Sequence, residues 1–229
     1  VTAVAGGGFA IAYNTGGIGG SAVMQVFDSA NAQVGGTTTL NSFANGFPYA
    51  GLKTLTDGNI VAILNNATGS PAFTARVLTP AGVQVGNDMT FGVGPNGSLI
   101  SGLAALTSGG FAVSYWAVNG SQTSLMMTGF LAEELTTNIQ LASVSTATVN
   151  PNFLSATLSP LANGGVAVAW TDYLGSDGSG SRIMLSAFNG IGNEIGSAQQ
   201  VNTNISGNQL NARVVTLSNG DVVALWNDP

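Results

Sequence analysis

Residues 217–226 read LSNGDVVALW, and the same ten-residue phrase stands at four earlier places: VAGGGFAIAY at 4–13, LTDGNIVAIL at 55–64, LTSGGFAVSY at 106–115 and LANGGVAVAW at 161–170. Aligned on it, Val4, Leu55, Leu106, Leu161 and Leu217 fall at spacings of 51, 51, 55 and 56 residues. The register extends beyond the phrase. Val1, Leu52, Leu103, Leu158 and Val214 stand three positions before it, and Tyr13, Leu64, Tyr115, Trp170 and Trp226 nine positions after. A period of this length marks one structural unit per copy. It divides a single domain, 1–229, into repeats 1–51, 52–102, 103–157 and 158–213 and a half repeat, 214–229.

Within a repeat the apolar period is two, and no long stretch carries an apolar stripe at helical spacing, so the chain is expected to be all-β. A segment such as ARVVTL supplies a first strand, and Ser-Asn-Gly or Thr-Asp-Gly, which tolerate positive φ, turn it into a second. The second strand alternates large with small: Phe9, Ile11 and Tyr13 against Ala10 and Ala12. Neither face is charged, which implies sheets stacked on both sides, large face to small. Third strands are registered by Phe27, Leu78, Phe130 and Phe188. The following turn repeats as Val34-Gly35, Val85-Gly86 and Ile195-Gly196, while the third repeat, LAEELTTN, departs.

Four short antiparallel strands per repeat describe a β-propeller-like array with four full blades and an incomplete fifth. A β-solenoid or a stacked sandwich is the alternative. Eighteen strands are expected, the last two alone in their blade. That leaves an apolar edge at Val222, Val223, Ala224, Leu225 and Trp226, a template for another strand. A neighbouring subunit of a homo-oligomer, or a longer parent chain, is expected to cover it. The start at Val1, without an initiator Met or signal peptide, suggests a processed product or a piece of something longer.

The module at 161–226 resembles a repeat of large secreted or surface bacterial proteins of the RTX-adhesin type. The likeness is carried by its Leu-x-Asp-Gly-Gly-like core, by Asp177-Gly178-Ser179-Gly180, Phe188 and Ile195-Gly196, and by Val201-Asn202-Thr203. The resemblance implies an extracellular or cell-surface location and supplies no catalytic residue.

The chemistry available is narrow. Charged residues make up 6% of the chain and the net charge is −6; Lys53, Arg76, Arg182 and Arg213 stand singly, so no basic stripe exists to neutralise nucleic-acid phosphates. Apolar runs are too short to span a bilayer as helices. There is no Cys, hence no disulfide, and no His, which removes the usual general base and zinc ligand. Glu133-Glu134 is expected to be a solvated turn rather than a catalytic pair, and no enzymatic role is expected. Asp172 and Asp177, in TDYLGSDGSGSR, are weak candidates for calcium, the one cofactor that the residue types suggest; otherwise none is expected. The aromatics that close the second strands suit sugar stacking or strand-end packing, with packing favoured. The sequons at Asn66, Asn96, Asn119 and Asn204 mark loops. These features point to an extracellular structural or adhesive repeat protein that self-associates; a carbohydrate-binding propeller lectin is the alternative.

Overall fold

The structure, a computed structural model, describes residues 1–16, 20–42, 49–66, 71–92, 99–119, 122–131, 134–145, 156–173 and 180–228. The chain divides into two compact units, Val1–Ser98 and Leu99–Pro229. In the first unit β1 (Thr2–Ala3), β2 (Phe9–Thr15), β3 (Ser21–Phe27) and β4 (Gln33–Ser42) form one sheet in chain order. A second sheet holds β5 (Tyr49–Thr54), β6 (Ile60–Asn65), β7 (Phe73–Leu78) and β8 (Gln84–Phe91). In the second unit, β9 (Leu99–Ala105), β10 (Phe111–Asn119), β11 (Gln122–Leu131) and β12 (Glu134–Ser145) form the third sheet. The fourth holds β13 (Ala156–Pro160), β14 (Val166–Asp172), β15 (Arg182–Phe188) and β16 (Gln199–Gln200). The two-stranded fifth holds β17 (Leu210–Thr216) and β18 (Val222–Asn227). These are the eighteen strands expected, counted among the described residues, and every pair is antiparallel.

One turn is used throughout. The N–H of Leu55 donates to the carbonyl of Asn59 at 2.8 Å, and that of Gly58 to Leu55 at 3.1 Å. Leu106, Leu161 and Leu217 repeat the pair with Gly109, Gly164 and Gly220. The glycine must adopt positive φ, +88° at Gly58 and +92° at Gly220, which explains its fixed place in the phrase. The turns after β3, β7 and β15 have the same form, built on Asp28, Thr79 and Asn189; in the first of them Asn31, at φ 64°, replaces the glycine.

The Val-Gly signal is a bulge. Val26 pairs with Val34 but Met24 pairs with Thr38, so β4 carries two extra residues there, and Gly35 sits at φ 71°. Val77 opposite Val85 and Ala75 opposite Met89 repeat it in β8, with Gly86 at φ 67°.

Large faces pack on small ones. In the first unit Ala10, Ala12, Ala22, Met24 and Val26 of the first sheet meet Leu52, Ile60, Ala62 and Leu64 of the second. In the second unit Val166, Val168 and Trp170 of β14 lie against Ala112 and Trp116 of β10, while Ala169 and Ile183 receive Ala212, Val214 and Trp226 of the fifth sheet. Thus, within each unit, the large face of the following second strand covers the face of the preceding sheet. Hydroxyls reinforce the same contacts about one repeat apart. Thr2 Oγ1 accepts from the N–H of Thr54 at 3.0 Å, Thr157 Oγ1 from Val214 at 2.9 Å and Ser159 Oγ from Thr216 at 2.8 Å.

Candidate functional site

The aromatics that close the second strands have different fates. Tyr115 and Trp170 are 0% and 3% exposed, Leu64 is buried, and Trp226 packs half-buried against the Ala169, Ile183 and Ala212 cluster. They are core, as favoured from the sequence, and form no ring of sugar platforms. Tyr13 alone among them is exposed, at 39%.

Among the described residues, an ion pair lies at the end of the fourth sheet. Asp172 ends β14 directly opposite Arg182, which opens β15. The Arg182 Nε donates to Asp172 Oδ2 at 2.8 Å, and a terminal nitrogen of the same guanidinium lies 2.8 Å from that oxygen. Asp172 is nearly buried and Arg182 about a quarter exposed. Tyr173 follows at once, its ring against the Trp116 and Trp170 cluster, and burial pushes its phenol pKa up. Of the two calcium candidates, Asp172 therefore faces a guanidinium, and Asp177 lies outside the described residues. Among the described residues no three carboxylates gather as a metal ligand set.

The sequence missed three polar features. A salt bridge joins Arg76 of β7 to Asp88 of β8, with Nε donating to Oδ1 at 2.8 Å, and Arg76 also donates to the carbonyl of Leu40 in the neighbouring sheet. The Asp88 hydrogen bonds push the Arg76 pKa still higher. Asn202, in the Val-Asn-Thr element, is buried: its Oδ1 accepts the N–H of Ile183 at 2.8 Å, and its Nδ2 donates to the carbonyl of Asn204 at 2.8 Å and to Gln209 Oε1 at 3.3 Å. Gln209 is fully buried, and its carbonyl accepts from Ser181 Oγ at 2.8 Å. The amide thus takes over the pairing of β15 where β16 stops after two residues. A single Asn in a chain rich in asparagine, and a single Gln, gave no signal of this.

The remaining candidates are quickly placed. Glu134 opens β12 opposite Leu131; Glu133 lies outside the described residues. Asn66 bonds to Pro71 and Thr74, and Asn204 to Asp228 and Ser206; Asn96 lies outside the described residues, as does the side chain of Asn119. Val222, Val223, Ala224, Leu225 and Trp226 form β18, which has β17 on one side and, among the described residues, no strand on the other. Trp226 faces the fourth sheet, whereas Leu225, 59% exposed, points away.

No family model matches the chain, and no curated protein matches it. Solved structures do. An α-L-arabinanase of Penicillium chrysogenum, complexed with arabinobiose, aligns over 78% of this chain and 56% of its own at 15% identity and a TM-score of 0.53. The fold is β-propeller-like. A polysaccharide lyase, an ulvan lyase, aligns over 97% of this chain and 64% of its own at 13% identity and a TM-score of 0.52. The chain spans 56% and 64% of the two propeller enzymes it matches. The comparisons correct one expectation. Lack of histidine and of a clear carboxylate pair argued against any enzymatic role, yet the arabinanase and the ulvan lyase that share the fold are carbohydrate-cleaving enzymes. The propeller-like fold is thus one that carries such chemistry, and carboxylates can do glycoside chemistry without histidine.

Proposed function

We propose that this chain recognises a polysaccharide, and that the end of the fourth blade, where Asp172 pairs with Arg182 and Tyr173 follows in sequence, contributes to the contact. The observation that carries the proposal is the fold shared with the arabinanase and the ulvan lyase over 78% and 97% of the chain. Two features support it. A chain with 6% charged residues, whose polar groups are mostly hydroxyls and amides, offers the donors and acceptors that pair with sugar hydroxyls. At the fourth blade a guanidinium and a carboxylate are paired at two adjacent strand ends, and such groups fix the orientation of a polar ligand. A polysaccharide ligand also suits the extracellular or cell-surface setting that the adhesin-type resemblance implies.

The test is affinity electrophoresis of the intact chain through gels containing arabinan, ulvan or a neutral glucan, with new reducing and unsaturated sugar ends assayed in the same mixtures. Retardation by at least one polysaccharide is expected, and Arg182→Ala should weaken it by about tenfold, equivalent to about 1.4 kcal/mol. Unchanged mobility with every polysaccharide would overturn the proposal.

A further inference from the structure

Four cations stand against ten carboxylates in this chain, and its net charge is −6. Two of the four are tied to carboxylates of the chain itself. Arg76 donates to Asp88 from Nε and from a terminal nitrogen, and its other terminal nitrogen donates to the carbonyl of Leu40. Arg182 directs Nε and a terminal nitrogen to one oxygen of Asp172, each at 2.8 Å. Lys53 and Arg213 stand on β5 and β17, opposite Val61 and Leu225, and neither belongs to the two strands that meet at Asp172 and Arg182. The stretch TDYLGSDGSGSR, 171–182, adds a second carboxylate, Asp177, and no further cation.

This balance of charge decides what kind of sugar Arg182 can meet. A guanidinium carries five N–H donors. Asp172 occupies two of its nitrogens, and the remaining N–H groups are free in valence to donate to hydroxyl and ether oxygens. The positive charge that would draw in a carboxylate or sulfate is already answered by Asp172. A second anion on the same guanidinium would lie beside that carboxylate, and like charges so close repel. At longer range the charge of the whole chain acts in the same direction. Resting on the polysaccharide reading above, we infer that the sugar taken at this end of the fourth blade is uncharged. Asp172 sets that specificity: it holds Arg182 as a hydrogen-bond donor and turns acidic polysaccharides away.

The test compares polymers that differ in charge alone. The intact chain is passed over immobilised arabinan, a neutral glucan, polygalacturonate and the methyl ester of the same polygalacturonate, in salt from about 0.01 M, where charges act over about 30 Å, to about 1 M, where they act over about 3 Å. Binding is expected only among the uncharged polymers, with an affinity that changes less than about twofold across the salt series. Asp172→Asn keeps an acceptor for Arg182 and removes the competing charge, so it should raise the affinity for polygalacturonate at low salt by about tenfold. Polygalacturonate bound more tightly than its ester, with an affinity that falls as salt rises, would overturn the inference and leave polysaccharide recognition standing. Retention on none of the four polymers would instead overturn the polysaccharide reading, and this inference with it. An Asp172→Asn chain that melts like the parent and still ignores polygalacturonate would show that Asp172 does not set the selectivity, which also overturns the inference. Should that variant fail to fold, the salt series on the parent chain decides alone.

Discussion

At the scale of single residues, the glycine of each repeated phrase was legible in advance and the buried amides were not. Gly58 sits at φ +88° with open space where a Cβ would project, so a substitution there meets only backbone strain. Gly58→Ala should cost about 1–2 kcal/mol in urea unfolding. Gly36, which has equal space and no positive φ, is the control and should move by less than about 0.5 kcal/mol on the same change. Asn202 was visible only as part of a likeness, because an asparagine announces a turn more readily than a buried clamp. Its Oδ1 and Nδ2 are both engaged, and Asn202→Ala would take from the N–H of Ile183 its acceptor and from Gln209 Oε1 its Asn202 donor inside the fold. A loss of about 1–3 kcal/mol is expected, read by chemical denaturation. A loss below about 0.5 kcal/mol would mean that water or a shifted backbone replaces the clamp.

At the scale of strands, the period-two pattern gave the right number of elements because large and small residues alternate in strands such as β2 and β14, and opposed sheets reward that alternation. Less legible was which strand ties one sheet to the next. Thr2, Thr157 and Ser159 look like ordinary polar residues of a half-exposed strand, yet each hydroxyl bonds to backbone about one repeat away. Nothing local in the sequence marks them, since the partner lies more than 50 residues distant. Thr157 Oγ1 accepts the N–H of Val214 at 2.9 Å and donates to the carbonyl of Ala212 at 3.3 Å. Thr157→Val keeps the shape and removes both bonds, so thermal unfolding should show a loss of about 1–2 kcal/mol. Trp170, in the same sheet, is the apolar counterpart: Trp170→Ala should cost about 3–5 kcal/mol, because Val166, Val168 and Phe188 cannot close on the space it leaves. If the hydroxyl variant cost more than the tryptophan variant, stacking in this fold would rest on polar rungs rather than on buried area.

At the scale of the whole molecule, composition governs the response to pH, and here sequence and structure speak together. With no histidine and no cysteine, no side chain has its ordinary pKa between about 5 and 8. Function was far less legible than architecture for the same reason: the residues that usually announce a site are missing, and the Asp172–Arg182 pair emerges only when the pleat sets two strand ends side by side. The stability of the chain should therefore be level through the neutral range and change where tyrosine titrates. Burial raises the pKa of Tyr173 above its ordinary value of 10.0, so the folded form holds the phenolic proton at pH values where the unfolded chain has released it. That contribution is complete below pH 10 and is lost as pH rises through the raised value. The melting temperature should accordingly be flat between about pH 5 and 9 and fall above about pH 10, and Tyr173→Phe should make that alkaline fall shallower. A step near pH 6 to 7, or an alkaline limb unaltered by Tyr173→Phe, would show that a group other than this phenol couples protons to folding.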